Sequence, residues 1–264
     1  MHQEKIPLTE INKLPNLPGV YFFYDEKDQL RYIGKSNHIK KRVLQHFAGK
    51  DRKSLKIQQF IKTIGYEPMG SELIALLHES DLIKQYQPLY NRSQRRTLFQ
   101  YGLYTHLVNG YIGLTVQKIQ KDKEEITTFS SLGEGKEALF RITEKYQLCQ
   151  KINGLYKTNG PCFQYQIKQC LGACIQAEDT ATYNTRVESF INPFTSHKIT
   201  QLIEIPGRNE DEKGLVYIEN GSYKGFGFCP IKTPAKKRLA YIEAKIANKD
   251  TKRILMRYLL QNNG

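Results

Sequence analysis

Apolar and polar residues first come in short strand-like bursts, then settle into helical spacing. Leu14 to Pro18 (LPNLP) is a rigid approach that cannot continue a helix. VYFFYD is dominated by aromatic and β-branched residues and predicts a strand, and LRYIG predicts a second. The turn Glu26–Gln29 between them makes the pair a β-hairpin. Ser36-Asn37 predicts the cap of a helix running through IKKRVLQHF to Gly49. Ile57, Phe60, Ile61 and Ile64 recur at helical spacing and predict a second helix over 52–64. GYEPMG reads as a short strand or loop. SELIALLHESDLIKQYQ predicts an amphipathic helix stopped by Pro88.

The texture changes after Leu98. LYTHLVNGYIGLTVQKI predicts a hairpin around Asn109-Gly110. ITTFSSLGEGKEALFRITEKYQLC predicts a strand, a Gly-rich turn and a helix. Cys149 to Cys174 is rich in loop residues, and a helix is expected over 180–192. GLVYIENGSYKGFGF predicts a second Asn-Gly hairpin, at Asn220-Gly221, and a last helix is expected from about 240 to 260. The fold class is α+β in three segments. Residues 1–96 form a small α/β domain with a short antiparallel sheet flanked by helices. Residues 97–194 form a cysteine-bearing middle, and 195–264 a small α+β tail.

Charge narrows the partner. Lys and Arg number 40 against 26 Asp and Glu, a net charge of +14, which suggests a polyanion and most often nucleic acid. A merely soluble basic protein is the plain alternative. The stretch Lys35–Lys62 holds nine Lys/Arg and the single acid Asp51; within it Lys40, Lys41, Lys53 and Lys56 are candidates for phosphate contact, or for a solvated helix face. MHQEKIPLTE lacks the apolar run of a secretory signal, and no stretch approaches a membrane span, so a cytoplasmic protein away from the membrane is expected. Four of the five cysteines follow C-x12-C-x7-C-x3-C: Cys149, Cys162, Cys170 and Cys174. In a reducing compartment this favours a metal site, Zn²⁺ or iron–sulfur, over disulfides, with four packed free thiols as the alternative. Cys229 stands apart as a structural residue.

Several polar residues carry possible chemistry. Tyr21 and Tyr32 lie on adjacent strands of one hairpin, where their hydroxyls can converge or simply pack as cross-strand aromatics. Lys35 ends the second strand, as a phosphate ligand or a surface lysine. Arg42 and His46 are four apart and share a helix face. Arg binds phosphate bidentately and His moves protons, although a solvated basic face would look the same. Glu79 follows the apolar ELIALLH; a lone carboxylate beside a phosphodiester suits Mg²⁺ or Mn²⁺, and an exposed helix Glu is the alternative. Asn91, just past Pro88, orients a ligand or makes a turn.

The order Gly19-Val20-Tyr21, Tyr32-Ile33-Gly34-Lys35, Arg42, Glu79 and Tyr90-Asn91 resembles the GIY-YIG nuclease pattern throughout. LRYIGKSNHIKKRVLQHF and ALLHESDLIKQYQPLYN are closest to its UvrC and Cho branch. The resemblance covers roughly 10–180. It implies a metal-dependent DNA endonuclease cutting a phosphodiester near damaged or distorted DNA in nucleotide excision repair. Tyr21, Tyr32, Lys35, Arg42, Glu79 and Asn91 would occupy the family's active-site positions. Glu79 would hold Mg²⁺ or Mn²⁺, a tyrosine would activate water, and Arg42 and Lys35 would neutralise phosphate. His46 stands where UvrC usually has tyrosine. The cysteine segment resembles the UvrC one, in which four cysteines can hold an iron–sulfur cluster; this implies [4Fe–4S], with Zn²⁺ as the alternative. The residues after Thr180 do not resemble the UvrB-binding hairpin. The tail is similar to the end of bacterial proteins that join a proofreading-type exonuclease to a UvrC-like half, so UvrB-like repair proteins and such an exonuclease are the expected partners besides DNA. A structure-specific nuclease outside excision repair, and a non-catalytic DNA-binding repair scaffold, are the alternatives; a scaffold needs neither Glu79 nor the tyrosine pair.

Overall fold

The computed structural model describes residues 6–91, 99–120, 122–195 and 200–262. The chain separates into two compact units, residues 1–97 with 200–255, and 98–199 with 256–264. The first boundary expected from the sequence, 96/97, lies outside the described residues.

The first unit begins with a short helix, α1 (Leu8–Asn12), which precedes the Pro-rich approach. Strands β1 (Gly19–Tyr24) and β2 (Leu30–Ser36) form the expected hairpin, with Tyr21 opposite Gly34 and Phe23 opposite Tyr32. Helix α2 (Ile39–Ala48) follows, but Ser36-Asn37 does not cap it: its N-cap is His38 with no side-chain bond, and Asn37 instead donates to Glu72 at 2.9 Å. Helix α3 (Arg52–Phe60) is capped by Asp51, whose carboxylate accepts from the Lys53 and Ser54 amides at 3.0 and 3.1 Å. The expected helix over 52–64 stops at Phe60, because Ile61 turns extended and Ile64 enters β3 (Thr63–Pro68) on the free edge of β1. The sheet order is β2-β1-β3, all antiparallel. Ile11, Tyr21, Phe23, Tyr32, Ile39, Val43, Ile57 and Ile61 fill the core between sheet and helices. Each fully buried isoleucine there contributes about 1.5–3 kcal/mol.

Helix α4 (Glu72–Tyr86) is capped by Ser71 and ends at Gln87 in left-handed backbone before Pro88. A single 3-10 turn, Leu89–Asn91, follows.

In the second unit, β4 (Tyr101–Val108) and β5 (Tyr111–Lys118) pair around Asn109-Gly110, both at positive φ as the turn requires. Strand β6 (Thr127–Phe129) flanks β4. The stretch expected as a Gly-rich turn lies inside α5 (Leu132–Lys145), because Ser131 caps the helix ahead of Gly133 and Gly135. The cysteine segment holds only a four-residue helix, α6 (Phe163–Gln166), and a 3-10 turn at Ala173–Ile175. Helix α7 (Thr180–Thr195) follows as expected.

The tail strands β7 (Gln201–Pro206), β8 (Glu212–Glu219), β9 (Ser222–Pro230) and β10 (Ile242–Ala244) make a four-stranded antiparallel sheet of the first unit. The Asn220-Gly221 hairpin is present, whereas the last helix, α8 (Lys249–Asn262), starts later than expected, after a 3-10 turn over 235–241 and β10. This sheet packs on α4. The His78 ring meets Phe226 edge-on at 5.5 Å and a Cβ at Gly214 would come within 2.8 Å of Ile74 Cδ1, while Lys84 pairs with Asp250 of α8 at 2.8 Å. Helix α4 is thus held on two sides, which fixes where its one deeply buried acid, Glu79, points.

Candidate active site

Three elements bring the candidate residues together: the β1–β2 hairpin, helix α2 with the start of α3, and helix α4. Tyr21, on the central strand, has no exposed surface, and its hydroxyl hydrogen-bonds His46 Nε2 of α2 at 2.8 Å. The imidazole tautomer sets which of the two carries the shared proton. Residue 34 has to be glycine for this contact: a Cβ there would lie 2.4 Å from the Tyr21 Oη and Cζ atoms. The small residue opposite Tyr21 in the hairpin lets the phenol cross β2 and reach α2. The Tyr32 ring lies 5.9 Å from Tyr21 and 5.5 Å from His46, centroid to centroid.

Burial sets the protonation of this group. Burial pushes the Tyr21 phenol well up, with the neighbouring Tyr32 adding to it and Arg42 opposing. Tyr32 is pushed up to about 12, by burial first and then by the Glu79 charge. Burial also lowers His46 to about 4, helped by the nearby Arg42 and Lys53 cations. At neutral pH the imidazole is therefore uncharged, with an open ring nitrogen.

Glu79 is 3 % exposed, and its Oε1 accepts the Lys35 backbone N–H at 2.9 Å. Burial lifts its carboxyl to about 7, against the pull of that N–H and of the Lys35, Lys53 and Arg42 cations. The strand end of β2 grips it, so the spacing of Lys35 and Glu79 has a backbone reason. The donors fit a hard divalent cation: the Glu79 carboxylate, with the Tyr21 and Tyr32 phenols close enough to feel its charge.

The cations line the rim. Arg42 is exposed on α2 and donates to Gln45 at 2.9 Å. The Lys35 ammonium pairs with Glu72 rather than standing free. Lys41 and Lys56 are exposed and Lys40 is half-buried. Lys53 behaves differently from the surface contact expected of it. Its ammonium sits 3.9 Å from the Tyr32 ring centroid, a cation–π contact, and burial lowers its pKa. Asp51 places it there by capping α3, and no local sequence signal marks it.

Asn91 is fully buried and faces the backbone. Its Oδ1 accepts from the Ile33 amide at 2.9 Å and its Nδ2 donates to the Ile33 carbonyl at 2.7 Å. It clamps β2 between Tyr32 and Gly34, which makes it a positioning residue.

In the second unit the four cysteines converge. The Sγ atoms of Cys149, Cys162 and Cys174 lie within 4.8 Å of one another, and Cys170 Sγ is 3.9 Å from Cys162 Sγ. Burial raises Cys149 to about 12 and Cys170 to about 11, with the neighbouring thiols adding to both. Cys229 is buried in β9, apart from them.

Comparison with known proteins follows the same division. Residues 17–92 match the model of the UvrC-like GIY-YIG domain, and residues 103–193 match that of the UvrC/Cho excinuclease middle domain. Over these two stretches the chain is similar to the UvrC/Cho-like branch of the GIY-YIG family. It is 33% identical over 194 residues to UvrABC system protein C of Desulfatibacillum aliphaticivorans, covering 70% of this chain and 32% of that protein. It is 30% identical over 184 residues to excinuclease Cho of Salmonella typhi, covering 68% of this chain and 62% of that one. It thus spans about a third of the length of the UvrC relatives it matches. Among solved structures, the GIY-YIG domain of Thermotoga maritima UvrC bound to magnesium is 28% identical, with a TM-score of 0.30, over 32% of this chain and 93% of that one. No helix among the described residues is long and apolar enough to cross a membrane.

Proposed function

We propose that the chain is a metal-dependent DNA endonuclease of the UvrC/Cho type, hydrolysing a phosphodiester near damaged or distorted DNA in excision repair. The observation that carries this reading is the buried Tyr21–His46 pair beside Glu79, whose carboxylate is gripped by the Lys35 amide. Water at the phosphate gives a proton to the Tyr21 oxygen as Tyr21 passes its own to His46 Nε2, which is neutral because its pKa is about 4. Passing the proton on as another arrives avoids a free tyrosinate, which burial makes unfavourable. Arg42 on the rim neutralises charge developing on the phosphate, and Lys35 joins it once a phosphate displaces Glu72. Lys53 keeps Tyr32 in place and adds positive charge behind it. A divalent cation, Mg²⁺ or Mn²⁺, held by Glu79 would supply charge to the phosphate and to the leaving oxygen.

The four converging cysteines are proposed to hold one structural metal centre. Four thiolates 2.3 Å from a single Zn²⁺ stand about 3.8 Å apart, close to the Cys162–Cys170 spacing. A [4Fe–4S] cluster, which the family resemblance implies, requires them to spread. DNA, UvrB-like proteins and a cytoplasmic setting complete the proposal. The test is an incision assay on lesion-bearing, branched and intact duplexes, with Mg²⁺ or with chelator, and with or without excision-repair partners. Metal-dependent nicking of distorted DNA is expected; no incision of any substrate under any of these conditions would overturn the proposal.

A further inference from the structure

Each of three cysteines in the thiol group is followed by an exposed apolar residue. Phe163 follows Cys162 and is 55% exposed, Leu171 follows Cys170 at 60%, and Ile175 follows Cys174 at 39%. The thiols converge, with sulfur atoms within 4.8 Å for Cys162 and Cys174 and 3.9 Å for Cys162 and Cys170. With consecutive Cα atoms 3.8 Å apart, the three apolar side chains are rooted within roughly 20 Å of one another. Exposed apolar side chains rooted this close together can share one surface around the cysteines, and an exposed apolar patch of that kind marks an interaction site. Tyr156, 39% exposed, belongs to the same segment.

The charge of the segment selects the occupant. From Gln150 to Ala177 there are three lysines, Lys151, Lys157 and Lys168, and no acid. Lys157 and Lys168 are exposed, while Lys151 is tied to the Gly160 carbonyl at 2.9 Å. A patch for another protein's apolar face has no need of a stretch carrying one sign of charge only. Aromatic and apolar faces set among lysines are how proteins hold unpaired bases, with stacking on the rings and phosphates on the ammonium groups. We infer that the cysteine-centred face of the second unit, led by Phe163 and Leu171, binds unpaired nucleotides of distorted DNA. This goes beyond the nuclease reading, from which it takes DNA as the ligand. The thiol centre then has a mechanical part, holding three separate chain segments so that their outward residues share one surface.

The chain contains no tryptophan, so Phe163→Trp places a single indole reporter in the patch. Its emission should be quenched by a short oligothymidylate and unchanged by inorganic polyphosphate, which carries the charge without bases. In parallel, fluorescence anisotropy of labelled single strands, bubble duplexes and intact duplexes should show Phe163→Ala with Leu171→Ser losing on the order of 10-fold affinity for the first two, the scale of one lost base stack. Intact duplex binding should be unaffected. DNA binding by anisotropy with an unquenched indole, and with the double variant at wild-type affinity, would overturn the inference and leave the nuclease reading standing. Absence of binding to all three DNAs would overturn both. An indole whose emission changes with protein concentration alone would show that the patch joins copies of the chain, which also overturns it.

Discussion

Glu79→Gln is expected to stabilise the metal-free protein at alkaline pH while removing its activity. The isosteric amide keeps a carbonyl oxygen for the Lys35 N–H, which Glu79 Oε1 now accepts at 2.9 Å. It removes a charge whose burial raises the carboxyl from 4.5 to about 7 in the folded state, even with three cations nearby. A raised folded pKa means that folding favours the protonated form. The protonated acid has no penalty below the unfolded value near 4.5, and stability falls as pH rises through the folded value near 7. Above that, the ionised side chain costs about 3 kcal/mol, at 1.36 kcal/mol per unit; at pH 5 the cost is only about 1 kcal/mol. For a chain of this size 3 kcal/mol corresponds to a gain of roughly 6–12 °C in Tm. Calorimetry of wild type and Glu79→Gln in chelator, at pH 8 and pH 5, reads this directly. The variant should melt higher at pH 8 and nearly level at pH 5. Mg²⁺ should raise the wild-type Tm at pH 8 and leave the variant unmoved. A variant that melts lower than wild type at pH 8, or by the same margin at both pH values, would refute the reasoning.

Tyr21→Phe keeps the ring but leaves His46 Nε2 buried without its partner; it should cost about 1–3 kcal/mol of stability and on the order of 100-fold in single-turnover rate. His46→Tyr should keep more activity than His46→Ala, and alanine cutting at full rate from pH 6 to 9 would remove His46 from the proton path. Lys53→Met should slow cutting with little change in affinity, whereas charge reversal at exposed Lys41 should weaken binding equally for all sequences and flatten the salt dependence of the Kd, both read by anisotropy titration. Protein prepared without oxygen should contain zinc or iron, and Cys162→Ser should lose it with a drop in Tm; metal-free wild type as stable as that variant would leave four packed thiols.

The parts of the fold legible in the sequence are those written in local pattern. Both Asn-Gly turns, the β1–β2 hairpin and the helix carrying Glu79 follow from residue type and periodicity. Boundaries failed where tertiary pairing overrode the period: Ile64 continues the apolar spacing of α3, yet β1 has a free edge and takes it as a strand. The site was legible as a set of residues but not in its detailed roles. Tyr21 and His46 do meet and the Glu79 charge reaches Tyr21, whereas Asn91 bonds the Ile33 backbone and Lys35 pairs its ammonium with Glu72. Lys53 was hidden among lysines, because only the Asp51 cap and the angle of α3 carry it over Tyr32. The tail sheet's packing on α4 rests on pairings such as His78 with Phe226, far apart in sequence and without a local signature.

The most direct test of the central claim is single-turnover nicking of a bubble duplex with Mg²⁺, at protein concentrations that saturate the DNA, comparing wild type with Glu79→Gln. The account predicts equal DNA Kd values and a rate lower by on the order of 1,000-fold for the variant, because the proposed metal ligand is gone while the rim cations remain. Equal rates, with the variant still binding DNA, would contradict it.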